Sequence, residues 1–203
     1  MLITIKTTFL PAPGRTSKFM PTLSYDIAVT DVYTLGSLPL NIAPQPIVSA
    51  RLENLSPCGD ITLDVTLNVS GAKTYSDVKS VTIPAGFSTI ANFSNYNPTV
   101  EGIDTIIVSV PADVNNVNNA RGYRQEVTKN SMNYADNSIP NGQVSLQFTG
   151  LMLTRYIIPE SRKVNAVNVF ISNDVNTVGK TMYAAVVDES GAIIGSSNNG
   201  RLR

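Results

Sequence analysis

Residues 61–70 read "ITLDVTLNVS", and their alternation is the tightest constraint this sequence places on its fold. Ile61, Leu63, Val65, Leu67 and Val69 fall on one face of an extended chain, and Thr62, Asp64, Thr66 and Asn68 on the other. A helix would scatter these positions around its circumference, whereas a pleated strand collects them on one side. β-Branched residues dominate the segment, which favours the strand further. Such a strand is half-buried and needs a second layer of structure over its apolar face.

The same period of two recurs before and after it. "YDIAVTDVYT" (25–34) alternates Ile27, Val29 and, after a change of phase, Val32, while "IVSARLEN" (47–54) puts Val48, Ala50 and Leu52 on one face. Further strands are expected in "YSDVKSVTI", "STIANFSNY", "DTIIVSV" and "NARGYRQEVT", each bounded by Gly, Pro, Asn or Ser. Pro84-Ala85-Gly86 is expected to reverse the chain tightly, and Gly102 to let it bend into the strand beyond it. About seven short strands in about 100 residues, with no helical segment among them, predict an immunoglobulin-like β-sandwich over 24–128.

Past Thr128, "KNSMNYADNSIPNG" reads as a boundary and short linker. A second set of β-patterns comes next in "QVSLQFTG", "LMLTRYIIP", "KVNAVNVFIS" and "TMYAAVVDESGAIIGSS", with Asp188-Glu189-Ser190-Gly191 as a hairpin-like turn. A jelly roll uses about eight strands, and the count here is nearer five. Residues 132–203 are therefore expected to form a partial, jelly-roll-like second β-sandwich, truncated and with an unpaired sheet edge. The fold class is all-β. Residues 1–23 form an N-terminal extension whose apolar run is broken by Lys6, a poor match to a signal peptide. The expectation is that the chain starts inside a longer protein.

Charge excludes one class of function. Lys+Arg and Asp+Glu balance at 15 each, and Arg162-Lys163 after Arg155 is too sparse a cluster to neutralise phosphates, so no nucleic-acid partner is expected. At 15% charged residues the chain sits well below the roughly 25% of an average soluble protein. Asn, Ser, Thr and Val take that share, a composition common in extracellular modules. No stretch approaches the roughly 20 apolar residues of a transmembrane helix, so no membrane insertion is expected.

Chemistry is equally restricted. The chain has no His, which removes Ser-His and Cys-His nucleophile pairs and His-based metal sites. Cys58, the single cysteine, lies in the loop-like Ser56-Pro57-Cys58-Gly59 with no base to activate it, and reads as inert. No Ser-x-x-Lys stands in a strand-to-helix setting, and Asp64 belongs to the polar face of its strand. The chain is therefore expected not to be an enzyme and to need no cofactor, and no catalytic, cofactor-binding or metal residue is assigned. Tyr75, Tyr96, Tyr123 and Tyr156 could stack on sugars, but scattered tyrosines in a sandwich more often pack at the edge of the core.

"PADVNNVNNARG" (111–122) raises the question of a calcium loop at 113–119. Calcium takes six to eight oxygen ligands, and an EF-hand ends its loop in a bidentate Glu. Counting from Asp113 as the first ligand, the position of that Glu holds Arg124 and the position of the required Gly holds Asn118. The template fails. Asn and Asp tolerate left-handed backbone and bond their own main chain, so the loop reads as a turn.

Taken in order, Asp26-Ile27-Ala28-Val29, "PIVSARLEN", the alternating 61–69 strand, "IPAGFSTIANF", "PTVEGIDTIIVSV" and "DVNNVNNA" resemble a CARDB domain. This is the cell-adhesion-related, Ig-like module of bacterial surface and secreted proteins, and the resemblance covers about 24–128. One departure is that the family's last loop often carries acidic residues before its final Asn-Asn, where this chain has Val117 and asparagines. A module of this kind with a β-sandwich after it is also similar to large proteins of the type IX secretion route, where such modules act as spacers. The resemblance implies an extracellular or cell-surface location and a non-catalytic structural or adhesion-type role. It implies neighbouring domains of a parent protein, and cell-surface glycans or proteins, as partners. The alternative expectation is an accessory carbohydrate-binding module that uses the second sandwich, with Tyr156 or Tyr183 against the sugar. Asn54, Asn68 and Asn92 stand in Asn-x-Ser/Thr, and Asp104-Thr105-Ile106 is similar to a short O-glycan acceptor signal.

Overall fold

The computed structural model describes residues 25–42, 47–57, 59–135, 150–158, 161–171, 175–198 and 200–201. All of the regular structure among them is strand. Eight strands make two sheets: β1 (Ile27–Tyr33), β2 (Ser37–Pro39), β3 (Ser49–Asn54), β4 (Ile61–Gly71), β5 (Tyr75–Ile83), β6 (Ser88–Asn92), β7 (Gly102–Ser109) and β8 (Ala120–Thr128). One sheet has the order β1-β3-β6 and the other β2-β8-β7-β4-β5. Every pairing is antiparallel except β2 with β8, which is parallel. This is an immunoglobulin-like sandwich, with its first two strands divided between the sheets.

The core is built by the alternation that the sequence shows. From one sheet Ile27, Val29, Val48, Ala50, Leu52 and Ala91 point inward, and from the other Val65, Leu67, Val69, Ile83, Ile106 and Val108. Ile61 and Leu63, at the start of β4, are only partly covered. The change of phase before Val32 is a β-bulge: register shifts between Val29 and Asp31. One extra residue there returns the apolar side chains to the inner face. β2, by contrast, has no counterpart among the expected strands. Three residues ending in proline are too short to show a period, and Pro39 is tolerated because β2 is an edge strand. Hydrogen bonds to β8 use the carbonyl of Gly36 and the amide of Leu40, so the missing amide of Pro39 falls on the side away from β8.

Local sequence explains the turns. Gly86 has φ 73° in the reversal between β5 and β6, and the amide of Phe87 donates to the carbonyl of Pro84 at 3.1 Å. At the end of β4 a Cβ on Gly71 would lie 2.1 Å from the carbonyl oxygen of Ile103, so only glycine lets β7 approach there. The free edge of β5 is guarded by side chains on its inner face. Asp77 and Lys79 pair at 3.3 Å, and both hold Ser94 in the segment after β6. Inward-pointing charges of this kind discourage pairing with a foreign strand.

Asn54 joins the two sheets at one corner. Fully buried, it donates to the carbonyls of Ile83 (3.1 Å) and Gly59 (3.2 Å) and accepts from the amide of Ser56 (3.0 Å). A sugar cannot reach it in the folded chain, whatever its Asn-x-Ser context. Asn68 and Asn92 are exposed.

C-terminal to the sandwich, β9 (Thr181–Met182) pairs with β12 (Gly200–Arg201), and β10 (Ala185–Val187) with β11 (Ile193–Ser196). The expected turn between β10 and β11 is present, with Asp188 Oδ1 accepting from the amides of Ser190 and Ala192. "LMLTRYII" and "KVNAVNVFI" carry no ladder among the described residues, and Leu151, Leu153, Ile157 and Phe170 are exposed. "QVSLQFT", Cys58 and the extension 1–23 lie outside the described residues. The expected linker is in part structured: Asn133 bridges Ser37 and so extends the β2 edge.

An Asn54→Leu variant should lose about 2–3 kcal/mol, because the amide of Ser56 and the carbonyl of Ile83 would stay buried without partners. Urea denaturation of variant and parent measures the difference.

Candidate functional site

The 111–119 loop joins β7 to β8 at one pole of the sandwich. Its carboxylate is fully employed in the fold. Asp113 Oδ2 accepts from the amide of Ile27 at 2.8 Å, which fixes the start of β1, and Oδ1 accepts from the amide of Asn115 at 2.9 Å in an Asx-turn. Asn118 repeats the tactic, donating from Nδ2 to Asp26 Oδ1 at 2.8 Å while its carbonyl accepts from Val29 at 2.9 Å. Asn119 Nδ2 reaches the carbonyl of Pro111 at 3.1 Å and Asn116 Oδ1 at 3.2 Å. The asparagines therefore replace a strand ladder that β1 lacks on this side.

Two acceptors in the loop, Asn118 Oδ1 and Asn119 Oδ1, are buried without a hydrogen-bond partner. They are amide oxygens with no formal charge, and the nearby carboxylates, Asp26 and Asp113, already receive protein donors. Among the described residues no group of three or more Cys, Asp or Glu side chains converges to hold a metal ion. Val117, at the tip, is exposed.

A second polar group lies inside the opposite pole. Asp104, on the inner face of β7, is fully buried; Oδ1 accepts from the amide of Lys73 at 2.8 Å, and Oδ2 has no partner. Beside it the hydroxyl of Tyr96 donates to Gln125 Oε1, and Gln125 Nε2 donates to Leu35 (2.7 Å) and Thr34 (3.0 Å). Burial pushes the Tyr96 phenol well above its ordinary range, and the negative charge of Asp104 adds to the shift. Buried and hydrogen-bonded, this tyrosine packs the base of the core and stacks on Tyr75 with ring centroids 5.8 Å apart. Thr105 is exposed beside it, but Asp104 of the acceptor-like Asp-Thr-Ile is not.

The sugar-stacking candidates separate in the structure. One face of Tyr156 is covered by Tyr134, centroids 4.9 Å apart, and Tyr134 Oη donates to the carbonyl of Arg155 at 3.0 Å. Tyr123 Oη in turn donates to the carbonyl of Tyr134. Tyr183, exposed, borders an open groove of about 580 Å³ between residues 164–169 and the β10–β11 hairpin, with Asn165, Asn168 and Asn198 on its walls. The sequence marks Tyr183 as a sugar candidate, but no residue pattern shows that 164–169 and 182–198 come together to form the groove.

No family model matches the chain, and no curated protein does. Among solved structures the chain is similar to the CARDB domain of a Pyrococcus furiosus protein, described as in complex with di-metal ions. The identity is 18%, the match covers 57% of this chain and 100% of that one, and the TM-score is 0.43. A CARDB domain is also what the motifs quoted above for about 24–128 resemble.

Asp113→Ala should destabilise the sandwich by about 1–3 kcal/mol by stranding the amide of Ile27. The loss in a thermal melt should be the same with and without millimolar calcium. Asp77 sets an acid limit. The amide of Ser94 and, more weakly, Lys79 hold its carboxyl below its ordinary 3.8, against a partial rise from burial. A depressed folded value means that its contribution is present above about pH 4 and is lost as pH falls through that value. Asp77→Asn should therefore flatten the acid side of a plot of melting temperature against pH.

Proposed function

We propose that this chain is a non-catalytic spacer, an adhesion-type structural module within a larger secreted or cell-surface protein. Its partners would be the neighbouring domains of that protein, and it would have no chemistry of its own. In this reading residues 24–128 form one unit and residues 132–203 belong to a second sandwich.

One observation carries the reading: the first strand begins at one pole of the sandwich and the last strand ends at the other. Ile27 lies against Asp113 of the pole loop, whereas Thr128 pairs with Pro39 beyond the level of Gly102, at the far end of β7. Nine residues of β8 at about 3.3 Å each separate the ends by about 30 Å. A module traversed in this way holds its N-terminal and C-terminal neighbours at a fixed distance. The second-sandwich assignment is supported by exposed apolar side chains at Leu151, Leu153, Val167 and Val169, which would be covered by a further layer.

The groove beside Tyr183 favours a second reading, an accessory carbohydrate-binding module, since an aromatic face flanked by amide side chains suits a sugar. Polysaccharide pull-down and a glycan array distinguish the two. The spacer reading expects no retained glycan. Retention that Tyr183→Ala abolishes, with the melting temperature unchanged, would replace it with the carbohydrate-binding reading.

A further inference from the structure

We infer that the sandwich is a force-bearing link, and that the parallel β2–β8 pair, with β1 on β3, is its mechanical clamp. This rests on the spacer reading and deepens it, by assigning the module a load along its long axis. β1 and β2 succeed one another without reversal, and both run away from the 111–119 pole. β8 runs the same way and is parallel to β2 over Ser37↔Glu126, Leu38↔Val127 and Pro39↔Thr128. Tension applied before Ile27 pulls β1 and β2 towards that pole, and tension applied after Thr128 pulls β8 towards the opposite one.

Both strands are thus drawn along their own axes in opposite directions. The hydrogen bonds between them lie across the pull and share it, so they yield together. The bonds at the two ends of the pair are Glu126 N to Gly36 O at 2.7 Å and Leu40 N to Thr128 O at 2.9 Å. β1 is loaded in the same sense against β3 over six residue pairs, and is also held by Asp113 and Asn118. Loading two sites at one pole instead would open the ladders one bond at a time. The fold also contains a weaker element in series. After β8 the chain turns back, Asn133 makes one antiparallel bridge to Ser37 and the Tyr123 hydroxyl holds the Tyr134 carbonyl, local contacts that would peel before the load reached Thr128.

Single-molecule pulling of the full chain with Cys58→Ser tests this in two attachment geometries. Ser24→Cys with Lys129→Cys pulls ahead of β1 and behind β8, from pole to pole; Lys73→Cys with Lys129→Cys loads one pole only. Forced unfolding reports the barrier along the pulling direction, so the pole-to-pole lifetime at fixed force should be at least about tenfold longer. Leu40→Pro, which removes one clamp hydrogen bond, should shorten the pole-to-pole lifetime and leave the one-pole lifetime unchanged. Equal lifetimes in the two geometries would overturn the clamp, as would a Leu40→Pro effect of the same size in both. Neither result touches the spacer reading, which fails instead on a specific glycan.

Discussion

Val65, Leu67 and Val69 of β4 share one buried cluster with Val48, Ala50 and Leu52 of the facing sheet, and most of the architecture depends on keeping that contact dry. Burial of each Val or Leu there contributes about 1.5–3 kcal/mol, so the cluster as a whole outweighs any single polar contribution in the sandwich. The contact fixes register, because a slip of one residue in β4 would turn Val65, Leu67 and Val69 outward and bury Asp64, Thr66 and Asn68. It also explains the bulge in β1 and the glycine at position 71. Each is a local departure from regular strand geometry that keeps a neighbour in phase with the core.

Polar chemistry in the sandwich is mostly spent on holding that packing in place. Asp113 and Asn118 secure β1 at one pole, Asn54 ties the corner between the sheets, Asp77 and Lys79 close the β5 edge, and Gln125 with Tyr96 fills the other pole. These side chains would have been the candidates for binding or catalysis, and their donors and acceptors are largely engaged within the chain. Exposed positions of the five-stranded sheet carry hydroxyls and amides such as Thr62, Asn68, Ser76 and Ser80, together with apolar Val78, Ile103 and Ile107 and the charges of Asp64 and Arg124. The passive role proposed for the module is the functional side of this economy.

Much of this was legible from residue order alone. Seven strands, the phase change before Val32, the Pro84–Gly86 reversal and the place of the Asn-rich loop between the last two long strands all come from period and turn chemistry. β2 did not, since three residues carry no period and its pairing with β8 is a tertiary fact. Nor did the roles of Asp113 and Asn54. A sequence shows that Asx residues suit turns; it does not show that their side chains reach a strand 86 or 29 residues away. Tyr134 was invisible for the same reason, because its partner Tyr156 comes from another segment.

The C-terminal residues show why alternation alone does not make a sheet. "LMLTRYII" and "KVNAVNVFI" carry strand-like apolar patterns, as β3 does, yet β3 has β1 on one side and β6 on the other. A strand is stabilised by the neighbours that receive its hydrogen bonds and by the layer that covers its apolar face, and propensity adds only a fraction of that. Where those partners are present the pattern becomes structure, as in β10 and β11 around the Asp188 turn. Where they are absent among the described residues, the same pattern leaves Leu151, Ile157 and Phe170 facing outward. Period two is thus a statement about which side a residue would bury, and it becomes a fold only when a second surface exists to bury it against.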